Sequence, residues 1–521
     1  MRNTRWTQAL AALAAGAAGL LAPGTASGAP ATVPAQDDPG TLTVMSRNLY
    51  LGADVGVALE LLPDLPGAAQ FMWDQVAATD FDSRVGLLAA EAVAAQPDVI
   101  SLQEATTWQC RPSPWRSPEV VYDFTAQFLD ALEASGARYV VAEKDGTRAL
   151  NPGYEIPAVP LLSEVEDPDT FQPRFGTDTA DCGFVISDAL LVRADLADDV
   201  LAAGTSEYEH RYAVVPVVFT IDRGYAWADL AVAGTTVRVV TTHLESLFPT
   251  NAEVPSAIQA RQLVEDLSST TAPLIVLGDF NADPRDPRPV GAENPGGQPE
   301  ANEACPAQPE PLTTSNGDAT CNAFWTMLDA GFTDAGPDPL DPANNTWGAA
   351  GNLAGPDPER LPDALAQGND YGFTDRLDHI FLRNGAMPVS AEIIGNLWPD
   401  GDTWPCDDPT QVRTTEESSA ILVEAGVLEA PITGEGVCLP TDHAGVVAEI
   451  DVSAGPAGVV AQPAPPSHSS FRLNLLQWLM IIVGVLLLIL VLLIWGIYRL
   501  TTRRRRRRRR EAAEATAPTA T

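Results

Sequence analysis

The chain has 521 residues, 45% of them hydrophobic and 19% charged, so its bulk is globular and not intrinsically disordered. With the charged residues of the two ends set aside, nineteen basic and sixty-seven acidic residues remain between 30 and 471, a net charge of about −48. A surface that acidic repels polyanions unless cations intervene, which excludes passive coating of nucleic acid.

Residues 1–29 predict a secretory signal: Arg2 and Arg5, an Ala/Leu-rich run from Ala9 to Ala22, then small residues from Thr25 to Ala29. From 41 to 452, short apolar runs rich in β-branched residues alternate with helical patterns, as in an α/β layered domain. Strands are predicted at Leu42–Arg47, Val99–Leu102, Phe184–Val192, Val214–Ile221, Val237–Thr242, Leu274–Leu277, Leu377–Leu382 and Val446–Ile450. Helices are predicted at Ser83–Ala95, capped by Asp82, at Val120–Ser135 and at Ser256–Ser268. Segments 145–182, 283–320 and 336–372 are too rich in Pro, Gly, Asn and Asp to be core and read as insertions. A fourth, 398–440, adds a short helical pattern at Glu416–Glu424.

Residues 453–470 are rich in Pro and Ala and predict an extended stalk. A transmembrane helix is predicted over 475–498, because Leu479 to Tyr498 carries no charge and spans ~30 Å as a helix. Trp478, Trp495 and Tyr498 stand where interfacial aromatics belong. The arginines Arg503 to Arg510 in the tail 499–521 place the C-terminus in the cytoplasm and residues 30–470 outside. Cys110, Cys182, Cys305, Cys321, Cys406 and Cys438 all lie in the exported part, where an even count argues for disulfides, here expected to pair sequentially. No Cys-x-x-Cys pair points to zinc.

Six polar islands end the apolar strands: Met-Ser-Arg-Asn at 45–48, Ser-Leu-Gln-Glu at 101–104, Thr-Thr-His-Leu at 241–244, Gly-Asp-Phe-Asn at 278–281, Arg-Leu-Asp-His at 376–379 and Thr-Asp-His at 441–443. Any one alone reads as a turn or helix cap. Together they put Asn48, Glu104, His243, Asp279, Asn281, Asp378, Asp442 and His443 on one set of strand ends, where α/β domains carry their sites. Carboxylate and amide oxygens are hard ligands suited to Mg²⁺, Mn²⁺ or Ca²⁺, and two imidazoles can move protons.

In this order the islands resemble the endonuclease/exonuclease/phosphatase (deoxyribonuclease I-like) superfamily, over about residues 41–452. The resemblance implies a four-layer α/β/β/α sandwich of two mixed sheets that hydrolyses phosphate esters with a divalent metal, Mg²⁺ before Mn²⁺ or Ca²⁺. It makes Glu104 the principal metal ligand, with Asn48 beside it and Asp442 holding a metal or its water. Asp279 and Asn281 would position water and phosphate. His443 would be the catalytic histidine, oriented by Asp378, and His243 would hydrogen-bond the phosphoryl oxygens or assist the leaving group. Thr441, Gly445, Thr241 and His379 depart from the family pattern, and His379 reads as a strand residue without a catalytic role.

The expected protein is an extracellular, membrane-anchored phosphoesterase acting on nucleic acid, a phospholipid headgroup or a small ester, with no obligate protein partner evident. A nuclease or a sphingomyelinase-like lipid phosphodiesterase is the narrower alternative. Trp398 and Trp404 could touch lipid or simply pack their insertion. From a different class comes an inactive binding module on the same fold, which metal-dependent turnover of a diester dye would exclude.

Overall fold

The computed structural model describes residues 40–468, except 114, 162–179, 216–218, 250–251, 290–297, 350, 352, 356, 358–359, 370, 398–402, 407–422 and 424–435. The predicted signal, the apolar run from Leu479, the arginine tail, Trp398 and nearly all of the pattern at 416–424 lie outside the described residues. Among the described residues no helix is long and apolar enough to cross a membrane.

In chain order the strands begin with β1 (Thr41–Asn48), β2 (Val99–Gln103), β3 (Thr107–Arg111), β4 (Glu119–Asp123) and β5 (Tyr139–Val141). Next come β6 (Glu143–Lys144), β7 (Thr147–Arg148), β8 (Leu150–Pro160), β9 (Asp181–Arg193) and β10 (Val200–Glu207). The middle of the chain adds β11 (Tyr212–Val215), β12 (Phe219–Ile221), β13 (Gly224–Val232), β14 (Thr235–His243) and β15 (Leu274–Asp279). The last are β16 (Thr333–Asp334), β17 (Asp378–Arg383), β18 (Met387–Ile394), β19 (Trp404–Cys406), β20 (Gly436–Cys438) and β21 (Gly445–Asp451). The helices are α1 (Val55–Glu60), α2 (Leu65–Ala78), α3 (Phe81–Ala95), α4 (Phe124–Ala134), α5 (Pro255–Asp266), α6 (Ala323–Asp329) and α7 (Leu361–Gln367).

Two mixed sheets carry the domain. The first runs β18-β21-β1-β2-β9-β3-β4, with β5 and β8 also paired to β9; the second runs β10-β13-β14-β15-β17-β16. Alternation along each strand sets the layers, because successive side chains point to opposite faces. Val44 faces the second sheet while Met45 faces the helices, and Ile275 and Leu277 face the first sheet while Leu274 and Val276 face outward. One apolar cluster joins α2, α3 and α4 to the first sheet through Trp73, Leu88, Phe128 and Leu102. A second lies between the sheets, and a third joins α5 and α6 to the second sheet through Leu263, Phe324 and Phe381. Both faces of the central strands are thus covered, which is why their sequences read as continuous apolar runs.

Several expectations are corrected. The helix predicted from Val120 begins as β4, and Asp123 caps α4 by accepting from the Ala126 N–H at 3.0 Å. Helix α3 starts at Phe81, with Asp80 at its N-cap position. The predicted strand Val214–Ile221 is two strands, β11 and β12. Segment 145–182 is not merely an insertion: β8 pairs along β9, and its backbone bonds compensate for a composition rich in Pro and Gly. Segment 336–372 buries Leu353, Leu361 and Ala364. Disulfides Cys110–Cys182 and Cys305–Cys321 are present as expected, and Cys438 is also disulfide-bonded.

The segment expected to be a free stalk lies along the second sheet over 453–468. Thr235 Oγ1 donates to Pro456 O at 2.8 Å, Gln462 N to Asp229 Oδ2 at 2.8 Å, Arg238 Nη1 to Pro463 O at 2.8 Å, and Glu207 N to His468 O at 3.1 Å. Composition alone missed this because the sheet supplies the partners that the segment cannot supply for itself.

Candidate active site

Register brings the polar islands together. In the second sheet His243 stands opposite Asp279, and Asp279 opposite Asp378. In the first, Asn48 stands opposite Gln103, directly before Glu104, and Ser46 stands opposite Val446, so Asp442 and His443 enter at the same end. The sheets are tied there by Ser101 Oγ and Thr241 Oγ1 at 2.6 Å and by Asn48 Nδ2, which donates to Asp279 Oδ2 at 3.2 Å. A cavity of about 190 Å³ opens at this edge. Glu104, His243, Asp279, Asn281, Asp442 and His443 line it, with Asn48 and Asp378 bonded behind them.

Asp279 Oδ2 is the meeting point: His243 Nε2 lies 3.5 Å away and His443 Nε2 3.7 Å away. Burial, with Asp378 and Glu104 adding to it against the pull of His443, lifts the Asp279 carboxyl to about 7. Asn281 N donates to Asp279 Oδ1 at 2.9 Å, and Asn281 Nδ2 donates to Leu244 O at 2.9 Å. Asn281 and Glu104 both have positive φ, 45° and 53°. For these residues that backbone carries strain, which site residues retain when the surroundings impose it. For Glu104 the clamp is Leu51 N, donating to Oε2 at 2.6 Å, and Thr106 Oγ1, donating to its carbonyl at 2.9 Å.

The two histidines are driven apart in charge. His443 Nδ1 sits 2.9 Å from Asp378 Oδ2. Burial alone would lower its pKa, but Asp378, Asp442 and Asp279 together raise it to about 10. His243 is pushed well below the ordinary value by burial, then by Arg223 and His443. Arg223 Nη1 lies 3.0 Å from His243 Nδ1 and can only donate, so the proton of the neutral ring is on Nε2, facing Asp279.

Sequence reasoning did not single out the residues that hold this arrangement. Arg47 grips Glu91 through Nε at 2.9 Å and Nη2 at 3.0 Å, and donates through Nη1 to His443 O at 2.5 Å. Arg84 is fully buried and donates to Leu49 O, Tyr50 O, Thr79 O and Pro440 O, pinning the turns that carry Asn48 and Asp442. Arg223, Tyr154, Trp347 and Arg360 line the cavity, and Asp188 Oδ1 lies 3.7 Å from His243 Nδ1. Arg47 stood inside one of the six islands and could have been found; Arg84 sits on helix α3, and the others sit mid-strand or in loop segments without a polar signature. His379 lies in β17 among Phe280, Phe324 and Phe381, away from the cavity lining.

The donors suit a hard divalent cation. Glu104 and Asp442 are raised first by burial and then, for Glu104, by the Asp442 charge. Like charges held at buried carboxylates are what such a cation relieves, and oxygen is its preferred ligand. Asp279, Asp378 and His443 also bring ligand-type atoms within 4.8 Å of one another. The Asn48 amide is engaged, its Oδ1 accepting from Tyr50 N at 2.9 Å and its Nδ2 reaching Asp279. A second carboxylate group, Asp283, Asp286 and Asp375, is spanned by Arg285 and Arg288 and braces the loops beside β17.

Residues 73–443 match the Endonuclease/Exonuclease/phosphatase family. The chain belongs to this family. It is a hydrolase acting on phosphate esters. No curated protein matches it. Among solved structures it is similar to an endonuclease/exonuclease/phosphatase family protein from Bacteroides thetaiotaomicron, at 15% identity and a TM-score of 0.39, covering 79% of this chain and 98% of that one. It is also similar to a mannosyl-6-phosphatase from Bacteroides thetaiotaomicron VPI-5482, at 16% identity and a TM-score of 0.37, covering 78% and 99%. A third, the endonuclease/exonuclease/phosphatase from Beutenbergia cavernae DSM 12333, has 16% identity and a TM-score of 0.35, covering 81% and 74%.

Proposed function

We propose that the chain is an extracellular, membrane-tethered phosphoesterase that requires a divalent metal ion, Mg²⁺ first and Mn²⁺ or Ca²⁺ as alternatives. The observation that carries the chemistry is Asp279 Oδ2 placed between Asn48, His243 and His443 at the cavity wall. Glu104 and Asp442 would hold the metal, which supplies charge neutralisation at the phosphoryl oxygens. Asp279, raised to about 7, can accept a proton from an attacking water near neutral pH, while Asn281 on the same wall orients it. His443, charged and fixed by Asp378, donates from Nε2 to the phosphoryl group. His243 presents Nε2–H to the same space as a neutral donor. The tether and location are supported by the signal at 1–29, the apolar run Leu479–Tyr498 and Arg503 to Arg510.

The test is turnover of bis-p-nitrophenyl phosphate and p-nitrophenyl phosphate by the full chain, with EDTA and then with Mg²⁺, Mn²⁺ or Ca²⁺ restored. Loss in EDTA and recovery on metal addition is the expected result. Turnover indifferent to EDTA overturns the metal requirement, and no turnover of either ester leaves the binding-module reading. Labelling of the domain on intact cells by a membrane-impermeant reagent tests the location.

A further inference from the structure

Three features of the molecule lie on the side where the cavity opens. The first is an apolar lip. Ala53, Asp54, Val55 and Gly56 line the cavity, and the same segment continues into α1, which leaves Val57 and Leu61 exposed; Leu65 follows, 56% exposed. The second is the turn between β3 and β4. Glu104 lines the cavity, and β3 starts three residues later, pairing Thr107 with Val185 and Arg111 with Asp181. It therefore continues ~13 Å past Thr107, away from the level where Leu102 pairs with Ala189. At its turn stands Trp115, 93% exposed, beside the exposed Arg116. The third is the place where the described chain ends. His468 O accepts from Glu207 N, Glu207 pairs with Gly224, and the neighbouring Arg223 lines the cavity.

We infer that this side of the domain docks on the surface of a neutral phospholipid bilayer, with Trp115 and the Val57–Leu61–Leu65 lip at the headgroup boundary and the cavity mouth facing the lipid. Ten residues separate His468 from the apolar run at Leu479. Their greatest reach is about 35 Å, so a chain anchored through that run keeps its cavity side near the membrane and not turned away from it. Tryptophan favours the interface because its ring is apolar and its N–H is polar. Arg116 can meet headgroup phosphate, whereas the acidic surface as a whole disfavours an anionic bilayer. An almost fully exposed tryptophan, with exposed leucines on the same side of the domain, is apolar surface of the kind that marks an interaction site. The inference rests on the proposed tether and is independent of catalysis.

The experiment places a polarity-sensitive fluorophore on Trp115→Cys, Leu61→Cys or Val389→Cys in the full chain. Val389 is exposed on β18, towards the strand end that pairs with Asp451 and away from the cavity. Each labelled chain is reconstituted into phosphatidylcholine nanodiscs. Incorporation reads the tether, and emission reads the docking. The expected result is blue-shifted emission at 115 and 61 that brominated acyl chains quench, with 389 unchanged. Incorporation with water-like emission at 115 and 61 overturns the docking and leaves the tether standing; equal quenching at 389 overturns it as unspecific. If the chain does not incorporate, the tether fails, and the labelled chains are mixed with phosphatidylcholine vesicles. Blue-shifted, quenched emission at 115 then upholds the surface by itself, and water-like emission overturns it.

Discussion

Asp378 opens β17 of the second sheet and His443 lies two residues before β21 of the first; 65 residues apart, they meet through Nδ1 and Oδ2 at 2.9 Å. Asp378 is held in turn by its own backbone N–H, which donates to Thr346 Oγ1 at 3.1 Å. Thr346 O also accepts from Ala444 N at 2.7 Å, so one short loop sets both partners. The dyad is thus rigid across the sheet-to-sheet boundary.

Residues that act as one unit lose activity non-additively. His443→Ala and Asp378→Asn should each lower kcat by roughly 10³-fold or more, and the double variant should fall little below the worse single one. Losses that multiply in kinetic assays of the three variants would mean that the two side chains act separately.

Glu104→Gln removes one of two charges that repel within the cavity. Its metal-free stability should equal or exceed that of the parent, because the relieved repulsion favours the folded state. Its activity should fall roughly 10³-fold, since metal stabilisation of transition-state charge is worth several kcal/mol. Mg²⁺ should raise the Tm of the parent but not of this variant, because only a bound ligand stabilises by mass action. Equal Mg²⁺ shifts in a thermal melt would remove Glu104 from the metal site.

The eight candidate residues stood out because hard ligands and imidazoles interrupt apolar runs at strand ends, and the order of the six islands, through its resemblance to the family, suggested a role for each. The supporting arginines were not. Arg84 lies on α3 between Ser83 and Val85, where a helical arginine reads as an ordinary surface charge, and its role exists only because four carbonyls from distant turns converge on it. Strand β13 was missed for another reason: Gly-Tyr-Ala-Trp-Ala-Asp-Leu-Ala-Val is alanine-rich, and its pairing with β10 and β14 overrides weak local propensity.

His379 gives a pH signature distinct from catalysis. Burial, with Arg376 adding to it, lowers its pKa to about 4 from the ordinary 6.5. Between those values the unfolded chain binds a proton that the folded chain refuses, so stability falls as pH drops from about 6.5 to 4. The loss attributable to this one group is about 3 kcal/mol. His379→Gln, which cannot titrate, should show a shallower acid-side decline in urea midpoints than the parent. Identical slopes between pH 7 and 4.5 would contradict this account.

The strap at 453–468 changes what proteolysis should do. Pro/Ala-rich composition alone places the first cuts anywhere in 453–470, but susceptibility follows the hydrogen bonding of the affected backbone. Val460 N donates to Thr236 Oγ1 at 2.9 Å, Gln462 N donates to Asp229 Oδ2, and Ser206 Oγ donates to Pro466 O at 2.9 Å. The strap also covers the buried pair of Arg238 with Asp229, whose guanidinium lies 4.5 Å from the Trp227 ring centre. Limited proteolysis of the full chain should therefore cut first beyond His468, and the fragment ending there should keep its activity on a soluble ester. A chain ended at Val452 loses carbonyl partners of Arg238 and should be less stable by about 1–3 kcal/mol. Mass mapping of the first cuts, with denaturation of chains ended at 452 and 468, checks both points. Early cuts within 456–466, or equal stability of the two chains, would mean that the strap does not hold the sheet.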